Sequence, residues 1–166
     1  MPLVSEERPP TPLATLTDEE LLFQQSIRRF AKERLAPHVR AMDEEGKFRK
    51  DLLDEMFQLG LMGIAIPEQF GGQGGTFFQS VLAIEELAKV DPAASVVVDV
   101  QNTLVTNAIG RWATLEQQKE FLPRLATNAL GAHALSEAHS GSDAFALSTT
   151  ATPDGDYFLL SGRKLW

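Results

Sequence analysis

Ala134-Leu135-Ser136-Glu137-Ala138-His139-Ser140-Gly141-Ser142-Asp143 divides the chain into two kinds of pattern. Before it, apolar residues recur at helical spacing between capping signals. After it come short strand-like stretches separated by turn residues. The stretch itself begins as an apolar run and passes into small polar residues, with a glycine between acids. A polar, glycine-containing loop at the mouth of a strand leaves backbone N–H groups free to meet a ligand, so chemistry is expected here. The expected class is α+β, mainly α: a helical part followed by the first strands of a sheet.

Working back from this loop, Thr17-Asp18-Glu19-Glu20 is a capping box. It opens a helix with Leu21, Leu22, Ile27, Phe30 and Leu35 along one stripe, and Arg28, Arg29, Lys32 and Glu33 off it. Pro37 is expected to interrupt that helix. A short helix from Val39 to Glu45 stops at Gly46, and another from Lys50 to Leu59 stops at Gly60. The apolar run Leu61 to Ile66 then meets Pro67-Glu68-Gln69-Phe70-Gly71-Gly72-Gln73-Gly74-Gly75. This glycine loop has no following Lys-Ser/Thr, and Phe77 occupies the third glycine position of any Gly-x-Gly-x-x-Gly laid over it. It reads as a turn between packed helices.

Thr76 to Val90 predicts a helix with Phe77, Val81, Ile84, Leu87 and Ala88 at helical spacing. Asp91-Pro92 caps the next, Ala93 to Ile109, whose valines favour strand but whose cap and length favour a buried helix. On it Val96, Val100 and Leu104 are four apart and share a face. Ordinary core packing is the favoured explanation of that face, and the wall of an apolar ligand pocket is the alternative. Thr114-Leu115-Glu116-Gln117 opens a helix to Asn128, in which Pro123 predicts a kink or an early end. Gly131 to Ser136, Leu147 to Thr152 and Tyr157 to Leu160 are the expected strands, with Pro153-Asp154-Gly155-Asp156 as a hairpin turn. The expected organisation is a disordered tail over 1–12, a helical domain over 13–129 and the start of a β-domain over 130–166. A lone hairpin is marginal in water, so the sheet looks interrupted at Trp166.

A chain of 166 residues, 43% hydrophobic and 23% charged, is long enough for one domain with a core. The net charge of −8 argues against nucleic acid and anionic membranes as partners. The absence of cysteine excludes disulfides, thiolate metal sites and a cysteine nucleophile. No apolar run approaches the roughly 20 residues of a membrane helix. Met1 to Pro12 contains Glu6, Glu7 and Arg8 and resembles neither a signal peptide nor a mitochondrial presequence. A cytoplasmic location is therefore expected, with the mitochondrial matrix as the alternative. His38, His133 and His139 have no metal-site spacing, and no Gly-x-Ser-x-Gly surrounds any serine. Most carboxylates, Glu85-Glu86 among them, are assigned to solvated helix faces. Glu137 is expected to order the focal loop by accepting backbone hydrogen bonds.

Leu135-Ser136-Glu137-x-x-x-Gly141-Ser142-Asp143 resembles the flavin-binding signature of the acyl-CoA dehydrogenases. Gly155-Asp156-Tyr157-x-Leu159-x-Ser161-Gly162-x-Lys164-x-Trp166 is similar to the next segment of that family. Upstream, Leu61-Met62-Gly63-Ile64, Pro67-Glu68-Gln69-Phe70-Gly71-Gly72-x-Gly74, Ile84-Glu85-Glu86-Leu87-Ala88 and Gln101-Asn102-Thr103-Leu104 look like further family blocks. The likeness runs from about Thr11 to Trp166 and is nearest to the short/branched-chain type.

The resemblance implies an N-terminal helical domain, a middle β-domain and a C-terminal four-helix domain, of which this chain would hold the first and the start of the second. It implies FAD as cofactor and an acyl-CoA thioester as substrate. A Glu takes the α-proton, the β-hydrogen leaves as hydride to the flavin, and an electron-transfer flavoprotein reoxidises it. It also implies a homotetramer. The segment His133 to Ser142 would line the flavin. Leu135 and Ser136 would bond the isoalloxazine edge, and Gly141 and Ser142 would lie near the phosphates, with Ser142 also reaching the acyl-CoA. Trp166 would flank the flavin ring, and Val96, Val100 and Leu104 would surround the acyl chain. Ala138-His139-Ser140 and His133 depart from the family pattern. The family's catalytic Glu lies in the C-terminal domain, so no residue of this chain is assigned as the base. An acyl-CoA oxidase-like flavoprotein and a non-catalytic helical interaction module are the alternatives.

Overall fold

The computed structural model describes residues 15–165, so the expected tail and Trp166 lie outside the described residues. Among the described residues, seven α-helices precede one hairpin: α1 Asp18–Phe30, α2 Val39–Glu45, α3 Lys50–Gln58, α4 Phe77–Ala88, α5 Pro92–Asp99, α6 Asn107–Trp112 and α7 Leu115–Thr127, then β1 Thr150–Asp154 and β2 Tyr157–Ser161. The capping boxes at Thr17 and Thr114 form as expected, and Thr76 forms a third with Gln79. Asp91 caps α5 by accepting from the Ala93 N–H at 3.0 Å.

Neither internal proline ends its helix. From Asp18 to Glu45 the chain stays helical, with a π turn over Ala31–Leu35 and a 3-10 turn over Ala36–His38. The wide turn carries the Ala36 N–H back to the Ala31 carbonyl, so a change of pitch absorbs Pro37. Helix α7 runs unbroken through Pro123. Lys119, whose carbonyl the proline leaves without its helical donor, sits on the exposed face, while Leu122, Leu125 and Ala126 hold the opposite face in the core.

The main core gathers Ile27, Phe30, Leu35, Leu52, Met56, Met62, Leu87 and Val98 from α1, α3, α4 and α5 with their connecting turns. A smaller cluster of Ile66, Phe70, Leu122, Leu125 and Ala126 seats α7 on the glycine loop. That loop folds back on the apolar run before it: Gln73, Gly74 and Gly75 donate N–H bonds to the Gly63, Ile66 and Ile64 carbonyls at 2.7–2.9 Å. It is a turn between packed elements, as its composition implied.

The buried faces differ from the expected stripes in several places. Leu21 and Leu22 in the first turn of α1 are exposed. On α4, Ser80, Leu82, Ala83, Glu86 and Leu87 face inward, and Phe77 and Val81 face out. Val96 and Leu104 are 55% and 44% exposed, and Val100 is half-buried, so core packing does not explain that face. Glu86 is only 1% exposed, which corrects its assignment to a solvated face. Arg28 makes a two-pronged pair with it at 2.8 and 2.9 Å, and Lys89 adds a third contact at 2.8 Å. Both cations keep access to water, so the carboxylate is neutralised without burying three charges. The Arg28 hydrogen bond, joined by Lys89, holds the Glu86 carboxyl down from 4.5 to about 2.

The expected strand Gly131 to Ser136 does not form, because among the described residues no strand lies beside it. Its carbonyls instead receive single bonds, from the Leu165 N–H to Ser136 and from Lys164 Nζ to Leu135. The second expected strand starts at Thr150 and absorbs Pro153 and Asp154, leaving Gly155-Asp156 as a two-residue turn. The hairpin is antiparallel, and all ten of its strand residues are exposed.

Two outcomes follow from this packing. Because folding depresses the Glu86 carboxyl, its stabilisation is complete above the ordinary value of 4.5 and is lost as pH falls from there toward about 2. Glu86→Gln is expected to cost about 2 kcal/mol at neutral pH. Urea unfolding should show that difference narrowing through the same acid window, and a constant difference would contradict the pairing. Amides of β1 and β2 are expected to exchange with solvent many times faster than those of Leu52 and Val98, because all the strand residues are exposed among the described residues. Hydrogen exchange read by NMR measures this directly.

Candidate functional site

Glu137 organises the loop that the sequence singled out. It is 5% exposed and accepts four hydrogen bonds. Its Oε2 receives the Ser148 N–H at 2.7 Å and the Ser148 hydroxyl at 2.6 Å, and its Oε1 receives the Thr149 N–H at 3.1 Å and Lys164 Nζ at 2.8 Å. Lys164 also donates to the Leu135 carbonyl at 3.0 Å, one residue from the Ser136–Leu165 bond. Lys164 foremost, then the Ser148 and Thr149 donors, hold the Glu137 carboxyl well below the usual carboxylate range. Glu137 is therefore an ionised structural anchor rather than a proton carrier. The expected ordering role is present, and its donors come from two separate segments, one on each side of the hairpin.

Beyond Glu137 the chain turns tightly. Glu137 and Ser140 exchange N–H···O bonds of 3.0 and 3.1 Å. Ser140 is buried, and its hydroxyl donates to the Asp143 carbonyl at 2.8 Å. Asp143 Oδ1 accepts the Phe145 N–H at 3.2 Å and closes the next turn. These bonds use Ser140 and Asp143 internally, so the loop keeps its shape without help from its outward groups.

Those outward groups are the ones proposed from the sequence. His133, Leu135, Gly141 and Ser142 are exposed, and Ser136 is half-buried. Among the described residues, the backbone N–H groups of Leu135, Ser136, Gly141 and Ser142 and the hydroxyls of Ser136 and Ser142 donate to no protein acceptor. A Cβ added at Gly141 would meet no atom within 4 Å. The loop thus presents neutral donors while its one inward carboxylate is balanced by Lys164. Such a surface suits a heterocycle edge or a pyrophosphate.

Val96, Val100 and Leu104 lie on the helix formed by α5 and the π segment Val100–Thr106. They form an exposed apolar face on an element separate from the loop. The two regions are joined through Gln101, whose Oε1 accepts the Gly131 N–H at 2.8 Å, and through Gly131, where a Cβ would overlap the Val105 side chain. Sequence reasoning assigned no role to Lys164, Ser148, Thr149 or Gln101. Lys164 and Gln101 stood inside recognisable blocks, and a polar Gln-Asn pair in an apolar run is itself a signal. Ser148 and Thr149 act partly through backbone N–H groups, which carry no side-chain signature. No three His, Asp or Glu side chains gather as a metal site among the described residues. Nor is any described helix long and apolar enough to cross a membrane.

Comparison with known proteins is consistent across sequence and structure. Residues 17–129 match the family described as "Acyl-CoA dehydrogenase, N-terminal domain". The chain is 47% identical over 158 residues to the mitochondrial short/branched chain specific acyl-CoA dehydrogenase of Bos taurus, covering 95% of this chain and 37% of that protein. Butyryl-CoA dehydrogenase from Megasphaera elsdenii superposes with a TM-score of 0.83 at 34% identity, over 90% of this chain and 40% of the other. A structure described as the electron transferring flavoprotein of Acidaminococcus fermentans gives 0.85 at 34%, over 89% and 39%. The chain therefore spans about two fifths of the length of the relatives it matches. With the helical fold, the loop signature and these matches together, the chain belongs to the acyl-CoA dehydrogenase family.

Proposed function

We propose that this chain is the N-terminal part of an FAD-dependent acyl-CoA dehydrogenase acting on a short or branched-chain acyl-CoA, with an electron-transfer flavoprotein as electron acceptor. The helical domain over 13–129 supplies the acyl-chain wall, and the β-domain that starts at 130 supplies the flavin loop. The observation that carries this reading is the set of uncommitted donors on Leu135, Ser136, Gly141 and Ser142, held on a loop whose carboxylate is turned inward. The identity with the short/branched chain relative supports the substrate class, and the description of the Acidaminococcus structure supports the acceptor class.

The donor set fits a flavin. The Leu135 and Ser136 N–H groups and the Ser136 hydroxyl would bond the acceptor edge of the ring, and Gly141 and Ser142 would approach the pyrophosphate. The flavin, when bound, supplies the acceptor for the β-hydride. The residues of this chain bind, orient and exclude water. Val96, Val100 and Leu104 offer an apolar wall to the acyl chain, which keeps the thioester in a dry pocket where α-proton removal is less costly. The proton-accepting Glu is assigned to the family's C-terminal domain, and Glu137, held ionised by Lys164, has no part in that step.

Gly141 separates ligand binding from folding. Its surroundings are open and its backbone is not in the left-handed region, so Gly141→Val leaves urea stability within about 0.5 kcal/mol of the parent. The same substitution is expected to weaken FAD binding at least tenfold in the full-length protein, because the added methyls occupy the space of the approaching phosphate. Flavin fluorescence titration reads the affinity, and unchanged affinity in a folded variant would sink the assignment of Gly141.

A further inference from the structure

The amide of Gln101 is 1% exposed and almost fully engaged. Its Nε2 donates to the Leu125 carbonyl at 2.7 Å and the Ala129 carbonyl at 2.9 Å, and its Oε1 accepts the Gly131 N–H at 2.8 Å. The two carbonyls belong to the last turn of α7 and the residues just past it, and the N–H belongs to the start of the segment leading into the loop. One side chain therefore fixes where α7 ends and where the next segment leaves. Gly131 has to be glycine for this approach, since a side chain there would strike Val105. Gln101 itself stands in the π segment, next to Val100 and three residues from Leu104.

The distance along the chain gives the bracket its consequence. From Gly131 to Leu135 there are four residue steps without helix or turn. Leu135 and Ser136 are in turn held by Lys164 and by Leu165. Four steps span at most about 14 Å, so the position of Gly131 limits where Leu135 can lie. A shift of Gly131 is passed on to Leu135 and Ser136.

We propose that Gln101 is a positioning residue that sets the flavin-edge donors of Leu135 and Ser136 against the acyl-facing stripe Val96, Val100 and Leu104, by tying the π segment to Gly131 and to the end of α7. The proposal rests on the flavin reading of the loop. Gln101 touches neither flavin nor acyl chain. It fixes the spacing between the element that would hold one and the element that would hold the other.

The chemistry of the bracket distinguishes it from simple filling of space. Gln101→Met keeps the volume and removes both donors and the acceptor. Gln101→Glu keeps the shape and the acceptor facing Gly131, but sets an anionic oxygen against the Leu125 and Ala129 carbonyls. Protonation converts that oxygen into a donor, so the glutamate variant should regain part of the bracket as pH falls, and the methionine variant should not.

The test uses the full-length protein, with FAD as the probe. Expected for Gln101→Met are a Gly131 amide that exchanges at least tenfold faster, unchanged protection at Ile27 and Met56, an FAD Kd raised about tenfold and a shifted flavin absorption band. Gln101→Glu should recover Gly131 protection and FAD affinity as pH is lowered from 8 toward 5.5, relative to wild type at each pH. Wild-type FAD affinity and spectrum in a folded Gln101→Met protein overturn the positioning role and leave the flavin reading standing. The same holds for a glutamate variant indifferent to pH. A wild-type protein that binds no FAD, while Gln101→Met still frees Gly131, overturns the flavin reading and this proposal with it.

Discussion

The structure depends on how one wide helical turn is satisfied. Between Val100 and Thr106 the helix takes a π pitch, which displaces its backbone bonds from their α partners. Side chains take up the carbonyls in and beside it. Asn102 Nδ2 donates to Val98, Thr103 Oγ1 to Asp99, Thr106 Oγ1 to Asn102 and Asn107 Nδ2 to Thr103. Asn102 also reaches across the core, donating to the Leu61 carbonyl at 2.8 Å and accepting the Ile64 N–H at 3.0 Å. Gln101 reaches the other way, to α7 and Gly131. Buried amides are costly unless paired, and here both find partners beyond their own helix. The π segment is thus the junction where the helical core, the glycine loop and the entry to the candidate site meet.

Charge is handled in the same economical way. Glu86 ties α4 to α1, and Glu137 ties the loop to the chain on either side of the hairpin. In each case the carboxylate is buried and its cation keeps contact with water. Both acids stabilise one geometry and are removed from proton-transfer chemistry at neutral pH. The loop's reactive potential therefore lies in neutral donors.

The helical architecture was largely legible in the sequence, because caps and stops are local. Thr17, Asp91 and Thr114 cap as their neighbours require, and Gly46 and Gly60 take the left-handed conformation that ends α2 and α3. The two prolines misled because their effect depends on packing. Leu122 and Leu125 keep α7 packed on the core past Pro123, so it does not end there, and a change of pitch carries the chain past Pro37. Burial was legible only where the apolar stripe was unambiguous. Glu86 reads like any helical glutamate until Arg28, 58 residues away, is placed beside it. The loop was legible as a polar turn ordered by Glu137, whereas its scaffold was not, since Lys164 and the Ser148 and Thr149 amides arrive by long-range folding.

The Gln101 bracket also orders events in time. During synthesis, α5 and the π segment that carries Gln101 leave the ribosome before Leu125, Ala129 and Gly131 do. The partners of the amide are thus synthesised after it, so on a chain that folds as it emerges the loop's departure point is set by docking onto helices already made. Vectorial emergence thereby favours the native exit from α7 over competing ones, a form of selection that refolding from denaturant would lack.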